Sequence, residues 1–192
     1  MKKIIAAINM TVDGFCDHTA VSPGEDIQQH YTDLIINGSL LLYGRVTYQL
    51  MEDAWPAMVK NPTGIKSMDD FAVAIDNVPK IVYSRTLQAV RWRNTTLKKE
   101  IVKEDIEALK QSGPKEASHN GDEKPILVGS PGLIVSLTQL SVIDEYQLCI
   151  HPVIVGKGLP LFKNISESVS LKLLKTKTFT GGAIILYYER VK

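Results

Sequence analysis

A chain of 192 residues is long enough for one good core, and a single domain is expected over residues 1–192. Its 44% hydrophobic and 22% charged residues are ordinary for a soluble globular protein, and a formal net charge of +1 gives no bulk attraction to nucleic acid or an anionic membrane surface. No apolar run approaches the ~20 residues of a spanning helix, and Cys16 and Cys149 belong to no Cys-x-x-Cys pair, which argues against a disulfide framework or a structural zinc.

The apolar start, Lys3 to Ile8, reads as a buried strand, and Asn9 to Asp17 as a loop carrying Asp13-Gly14. Asn9, Thr11 and Asp13 interrupt the apolar run too early for a signal peptide, so the cytoplasm is the expected location. From Gly24 to Asn37, Ile27, His30, Tyr31, Leu34 and Ile35 share one helical face, with Glu25 and Asp26 in the first turn and Asn37-Gly38 as the stop. Leu40 to Tyr43 is a strand that stops at Gly44 and turns into a short helix. Ala54 to Asp70, with Pro56, Pro62 and Gly64, reads as irregular, and Met68 to Ile75 as a short helix. Pro79 to Ser84 is a strand, Val90 to Thr96 a brief one, and Lys98 to Gln111 a helix. The polar stretch 112–124 reads as a surface loop within the domain. Pro125 to Gly129 is a strand, Pro131 to Leu140 a helix, and three strands follow: Glu145 to Val155, Leu171 to Lys177 and Ala183 to Arg190. Alternating strands and helices followed by a strand-rich C-terminal third predict an α/β fold, with a mainly parallel central sheet and an antiparallel C-terminal edge.

Ligands of such sheets sit beyond the C-terminal strand ends. Four strands end there in ligand-type residues: Asn9 with Asp13-Gly14, Gly44-Arg45-Val46-Thr47, Ser84-Arg85-Thr86, and Gly129-Ser130-Pro131-Gly132. Free backbone N–H groups, a cation and a hydroxyl at one helix start are the equipment for holding a phosphate. Two Arg-hydroxyl pairs and two glycine-lined turns suit a dinucleotide, and Ser84-Arg85 is of the kind that grips a ribose 2′-phosphate. No Gly-x-Gly-x-x-Gly follows the first strand, and neither a P-loop nor a Gly-x-Ser-x-Gly elbow occurs.

In order and spacing these residues resemble the dihydrofolate reductase superfamily, and most closely the stand-alone bacterial members of the RibD C-terminal domain family. The resemblance rests on Asn9 to Phe15, Gly44 to Tyr48, Lys80 to Leu87, Ile126 to Ser130, Val142 to Tyr146, and above all His151-Pro152-Val153-Ile154-Val155-Gly156-Lys157-Gly158-Leu159-Pro160-Leu161-Phe162. It implies an NADPH-dependent oxidoreductase acting by hydride transfer on a small heterocycle, a 5-amino-6-(5-phosphoribosylamino)uracil-like pyrimidine or a pteridine. A non-catalytic nucleotide- or flavin-binding protein using the same cleft is the alternative. By the same resemblance, Gly44, Arg45 and Thr47 meet cofactor phosphates, Ser84 and Arg85 the ribose phosphate, and Gly129, Ser130, Pro131 and Gly132 the pyrophosphate. Ala7 and Ile8 flank the nicotinamide, Gly14 belongs to a mobile flap, and Asn9 and Asp13 face the substrate. Asp26 is the nearest match to the proton donor, its plainer role being to complement the helix dipole. A homodimer through the C-terminal strands is also implied. The chain departs from the pattern at Ser130, where dihydrofolate reductases have a second glycine, and at Val128, where riboflavin-pathway reductases have an acid. The zinc motif of the deaminase that accompanies those reductases does not occur.

Overall fold

A computed structural model describes residues 1–17, 19–21, 23–112 and 123–191, so the expected loop at 112–124 lies almost wholly outside the described residues. The strands are β1 (Ile4–Thr11), β2 (Leu40–Gly44), β3 (Lys80–Tyr83), β4 (Thr95–Lys98), β5 (Ile126–Val128), β6 (Glu145–His151), β7 (Leu171–Thr178) and β8 (Ile184–Arg190). The helices are α1 (Glu25–Ile36), α2 (Arg45–Lys60), α3 (Lys66–Asn77), α4 (Lys103–Gln111) and α5 (Pro131–Gln139). One sheet runs in the order β4-β3-β2-β5-β1-β6-β8-β7. It is parallel from β4 to β6, and β8 and β7 complete it antiparallel.

Both faces of the parallel part are covered, which is why its strands read as continuous apolar runs. Strand alternation sends Ile4, Ala6 and Ile8 toward Ile106 of α4 and Leu133, Ile134 and Leu137 of α5. Ile5, Leu41, Tyr43 and Val82 face the other way, onto Ile35 of α1, Tyr48 of α2, and Phe71 and Ile75 of α3. A smaller cluster around Cys149, Ile185 and Tyr187 packs α1 onto the antiparallel edge through Ile27.

Several boundaries differ from expectation, each for a tertiary reason. β1 continues through Asn9 to Thr11, because Asn9, Met10 and Thr11 pair with Cys149, Ile150 and His151 of β6. α2 runs through Pro56 to Lys60 where irregular chain was expected. Met51 and Trp55 pack on the core there, and the Trp55 ring lies 4.4 Å from that of Phe71. β4 begins at Thr95 rather than Val90, since the N–H groups of Arg91 and Trp92 both donate to the Tyr48 hydroxyl, at 3.0 and 3.1 Å. Lys98 therefore closes β4, and α4 opens only at Lys103. β6 stops at His151, before Pro152.

Candidate functional site

β5 is only three residues long and lies between two longer strands. Val128 pairs with Ala6 on one side and with Leu42 on the other, while β1 runs on to Thr11 and β2 to Gly44. The result is a notch at the C-terminal edge of the sheet. Ala7 and Ile8 form one wall, Tyr43 and Gly44 the other, and Gly129-Ser130 the floor. Gly129 lies against the Ala7 carbonyl oxygen, which a Cβ at this position would meet at an ordinary contact distance of 3.6 Å.

Two helices start at this notch. α2 begins after Gly44 and α5 after Ser130; neither has a side-chain cap, and neither carries an acid in its first turn. α1, α3 and α4 all carry acids there. The two starts are tied together, because the Gly44 N–H donates to the buried Ser130 hydroxyl at 2.9 Å. First-turn N–H groups and two positive dipole ends thus converge on one place, an arrangement that suits an anion. The departure at Ser130 has its reason here, since a glycine would leave the Gly44 N–H without this acceptor. Arg45 lies exposed in the first turn of α2, its Nη1 bonded to Gln49 at 2.9 Å, with Thr47 half-buried beside it.

At the end of β3 the Ser84 hydroxyl is buried and accepts the N–H groups of Thr86 and Leu87, at 3.2 and 3.0 Å. That turn presents Arg85 to solvent. Ser84 and Arg85 line an open cavity of about 590 Å³ together with Tyr83, Lys99, Ser136 and Gln139. A larger cavity, about 690 Å³, opens between α1 and α3 at the opposite end of the sheet, beside Lys2, Ser39 and Pro79, away from every candidate residue.

The remaining candidates are committed within the protein. Asp13 accepts the Thr11 hydroxyl at 2.6 Å and the N–H groups of Val155 and Gly156 at 3.1 and 2.7 Å. These bonds, the Thr11 hydroxyl foremost, lower its pKa. With three bonds to its own chain, Asp13 holds a loop in place. Gly14 takes a φ of +90°, which glycine adopts without strain, and the Asp13-Gly14 loop, expected as a mobile flap, lies in a 12–16 segment stitched to the 153–161 segment by backbone bonds from Val12 to Val153, Cys16 to Leu159 and Leu161 to Gly14. Asp26 accepts the Thr180 N–H and hydroxyl, both at 2.9 Å, and the Ile27 N–H. Those bonds lower its pKa, whereas a proton donor near neutral pH needs it raised. Asp26 latches α1 to the β7–β8 turn and is not poised as the acid. Asn9 stays partly exposed at the mouth of the site, its Oδ1 accepting from Tyr31 and His151.

The sequence pattern of the RibD C-terminal domain family matches residues 2–185. The chain belongs to this family. It is 26% identical over 194 residues to the uncharacterized protein YyaP of Bacillus subtilis, with 98% of this chain and 95% of that protein covered. Three solved structures share the fold. A putative riboflavin biosynthesis protein from Shewanella sp. PV-4 matches at a TM-score of 0.71 with 18% identity, both chains covered in full. A Thermotoga maritima diaminohydroxyphosphoribosylaminopyrimidine deaminase/5-amino-6-(5-phosphoribosylamino)uracil reductase matches at 0.63 with 16% identity; 99% of this chain corresponds to 57% of that one. Enterococcus faecalis dihydrofolate reductase complexed with NADP(H) matches at 0.58 with 14% identity, covering 99% and 97%. The dihydrofolate reductase-like architecture is thus shared along the whole chain.

This RibD C-terminal domain brings together residues that no local pattern singles out. Tyr83 reads as one more apolar strand residue and Lys99 as part of a charged run, while Ser136 and Gln139 lie away from the inner apolar face of α5. Only the return of β5 between β1 and β2 sets α5 beside the end of β3. Among the described residues there is no cluster of His, Cys, Asp and Glu fit for a metal, and no helix long and apolar enough to cross a membrane.

Proposed function

We propose that the chain is an NADPH-dependent reductase of a small nitrogen heterocycle, a 5-amino-6-(5-phosphoribosylamino)uracil-like pyrimidine or a pteridine. The observation that carries this reading is the meeting of two acid-free helix starts, α2 and α5, over a backbone floor at Gly129. The donor set fits a dinucleotide. Gly44, Arg45 and Thr47 with the turn Gly129-Ser130-Pro131-Gly132 hold the pyrophosphate, and the Ser84–Arg85 turn holds the ribose 2′-phosphate at the mouth of its cavity. Tyr83, Lys99, Ser136 and Gln139 line the space for the adenosine end. At the strand edge Ala7 offers a small buried side chain, and Ile8 its backbone, beside a flat ring, and both keep water from it. When bound, the nicotinamide supplies the hydride, and the protein supplies orientation and electrostatics. The names of the Thermotoga reductase and of the dihydrofolate reductase bound to NADP(H) support the choice of substrate class and cofactor. A homodimer through the β7 edge, where Leu173 and Leu174 are 50% and 45% exposed, belongs to the same proposal.

One observation favours a second reading. Asp26 is held as a carboxylate, so a protein that binds a nucleotide or flavin in this cleft without catalysis is the alternative. Thermal shifts with NADPH, NADH and FMN separate the readings, because a ligand at a hundred times its Kd stabilises the fold by about 2.7 kcal/mol. A shift with NADPH, and its oxidation in the presence of 5-amino-6-(5-phosphoribosylamino)uracil or dihydrofolate, is the expected result. A shift with FMN alone would replace the cofactor, and binding of NADPH without turnover on either substrate would leave the non-catalytic reading.

A further inference from the structure

We infer that Asn9 is the donor that recognises the substrate heterocycle, and that Tyr31 and His151 are positioning residues that fix its amide. The inference rests on the reductase reading above and names the group that reads the substrate.

Asn9 Oδ1 receives two donors. The Tyr31 hydroxyl donates from α1 at 3.2 Å, and His151 Nε2 donates from the end of β6 at 2.9 Å. An amide oxygen has two lone pairs, so both are used, and in this orientation the amine points away from both partners. His151 is 5% exposed, and burial lowers its pKa; facing the amide oxygen, its Nε2 is the donor in this pair. Behind it the Cys149 thiol lies 3.7 Å from the same nitrogen, closing the network on its buried side. The opposite side is open. Asn9 is only partly buried, and its Nδ2 has no partner among the described residues.

The position of this amine is informative. Side chains of a strand return to the same face every second residue, so Asn9 lies about 6.6 Å beyond Ala7 on the α1 face of β1. A heterocycle set against a ring at Ala7–Ile8 would have its edge at Asn9. Two N–H groups fixed there select a ligand edge that accepts, namely a ring carbonyl oxygen or an unprotonated ring nitrogen, as uracils and pterins have. An edge that offers only donors would be refused, because an unpaired donor facing a donor costs affinity.

The decisive variant is Asn9→Asp. Its carboxylate still accepts from Tyr31 and His151, so the network survives, while the ligand-facing donor becomes an acceptor. Calorimetric titration of the full chain with 5-amino-6-(5-phosphoribosylamino)uracil and with dihydrofolate is the first measurement, and KM for each in the NADPH assay is the second. The expected result is an unchanged Tm and an unchanged KM for NADPH, with affinity for the heterocycle reduced about tenfold or more. His151→Leu should weaken the heterocycle similarly, and His151→Gln, which keeps an N–H donor, should recover most of the loss. A purely structural role would give no such rescue in KM. Should Asn9→Asp fail to fold, Asn9→Ser carries the same comparison. If the variant binds both probes as tightly as the parent chain, or if the parent chain binds neither probe, the assignment is wrong. If the parent chain binds a probe, loses it on substitution and yet oxidises no NADPH, the donor stands and the reductase reading falls.

Discussion

The backbone N–H of Gly44 donates to the Ser130 hydroxyl at 2.9 Å, tying two residues 86 positions apart at the starts of α2 and α5. Ser130 is 3% exposed, so water cannot replace it cheaply. Ser130→Ala should therefore cost about 0.5–1.5 kcal/mol, the usual net worth of one hydrogen bond, since the Gly44 N–H is only part-buried. Calorimetric unfolding of the variant measures that loss. The variant should also gain less stability from NADPH than the parent chain, since the two helix starts are no longer held in register. A variant with the parent's Tm and the parent's NADPH shift would show that this bond organises nothing.

Arg85 tests cofactor choice. It is exposed at the cavity rim, so Arg85→Ala should change stability by no more than about 0.5 kcal/mol. If it meets the ribose phosphate, a charge-assisted bond worth about 1.5–3 kcal/mol is lost for NADPH and nothing for NADH. The Kd for NADPH relative to that for NADH, measured by fluorescence titration, should rise by tenfold or more. An equal loss for both cofactors would move Arg85 away from the 2′-phosphate.

The strand-to-helix turns at Gly44 and Gly129 are legible because each joins an apolar run to a helical pattern across a glycine, a purely local signal. The α/β order and the antiparallel edge follow from the same periodicities. What escapes sequence is set by pairing at a distance. β1 extends through polar Asn9 to Thr11 because β6 lies alongside, and α2 passes Pro56 because Trp55 has Phe71 to pack on. The Asn9–His151 bond joins residues 142 positions apart, so neither side chain announces the other. Asp13 and Asp26 look equally apt for chemistry in sequence, and only their partners reveal two latches.

Asp13 should behave as the clasp of the 12–16 segment. Its pKa is lowered, first by the Thr11 hydroxyl and then by the Gly156 and Val155 N–H groups, with partial burial opposing. A folded-state value below the ordinary 3.8 means that the ion's contribution is fully present above that pH and is lost as pH falls through the lower folded value. Asp13→Ala should speed hydrogen exchange at the Val155 and Gly156 amides while leaving amides of β1 and β5 unchanged. Uniform acceleration across the sheet would mean global destabilisation, and no change would mean that the loop is held by its backbone bonds alone.

His30 sets the acid limb of stability. It lies on α1 against the rings of Tyr31 and Phe179, with Nε2 buried and without a partner among the described residues and Nδ1 at 3.4 Å from Lys177 Nζ. Burial pushes its pKa down from 6.5 to about 4; Lys177 and Lys175 push the same way, and Asp33 opposes them. The unfolded chain therefore takes up a proton on His30 between those two values while the folded chain does not. Stability from this residue is complete above about pH 6.5 and falls as the pH drops toward about 4, the direction expected of a histidine buried neutral. Thermal unfolding across that window should show a Tm that declines on acidification. His30→Phe keeps the contact with Phe179, removes the orphaned nitrogen, and should flatten the decline between about pH 6.5 and 4.5. A variant whose Tm falls as steeply as the parent's over that window would assign the acid sensitivity to other groups.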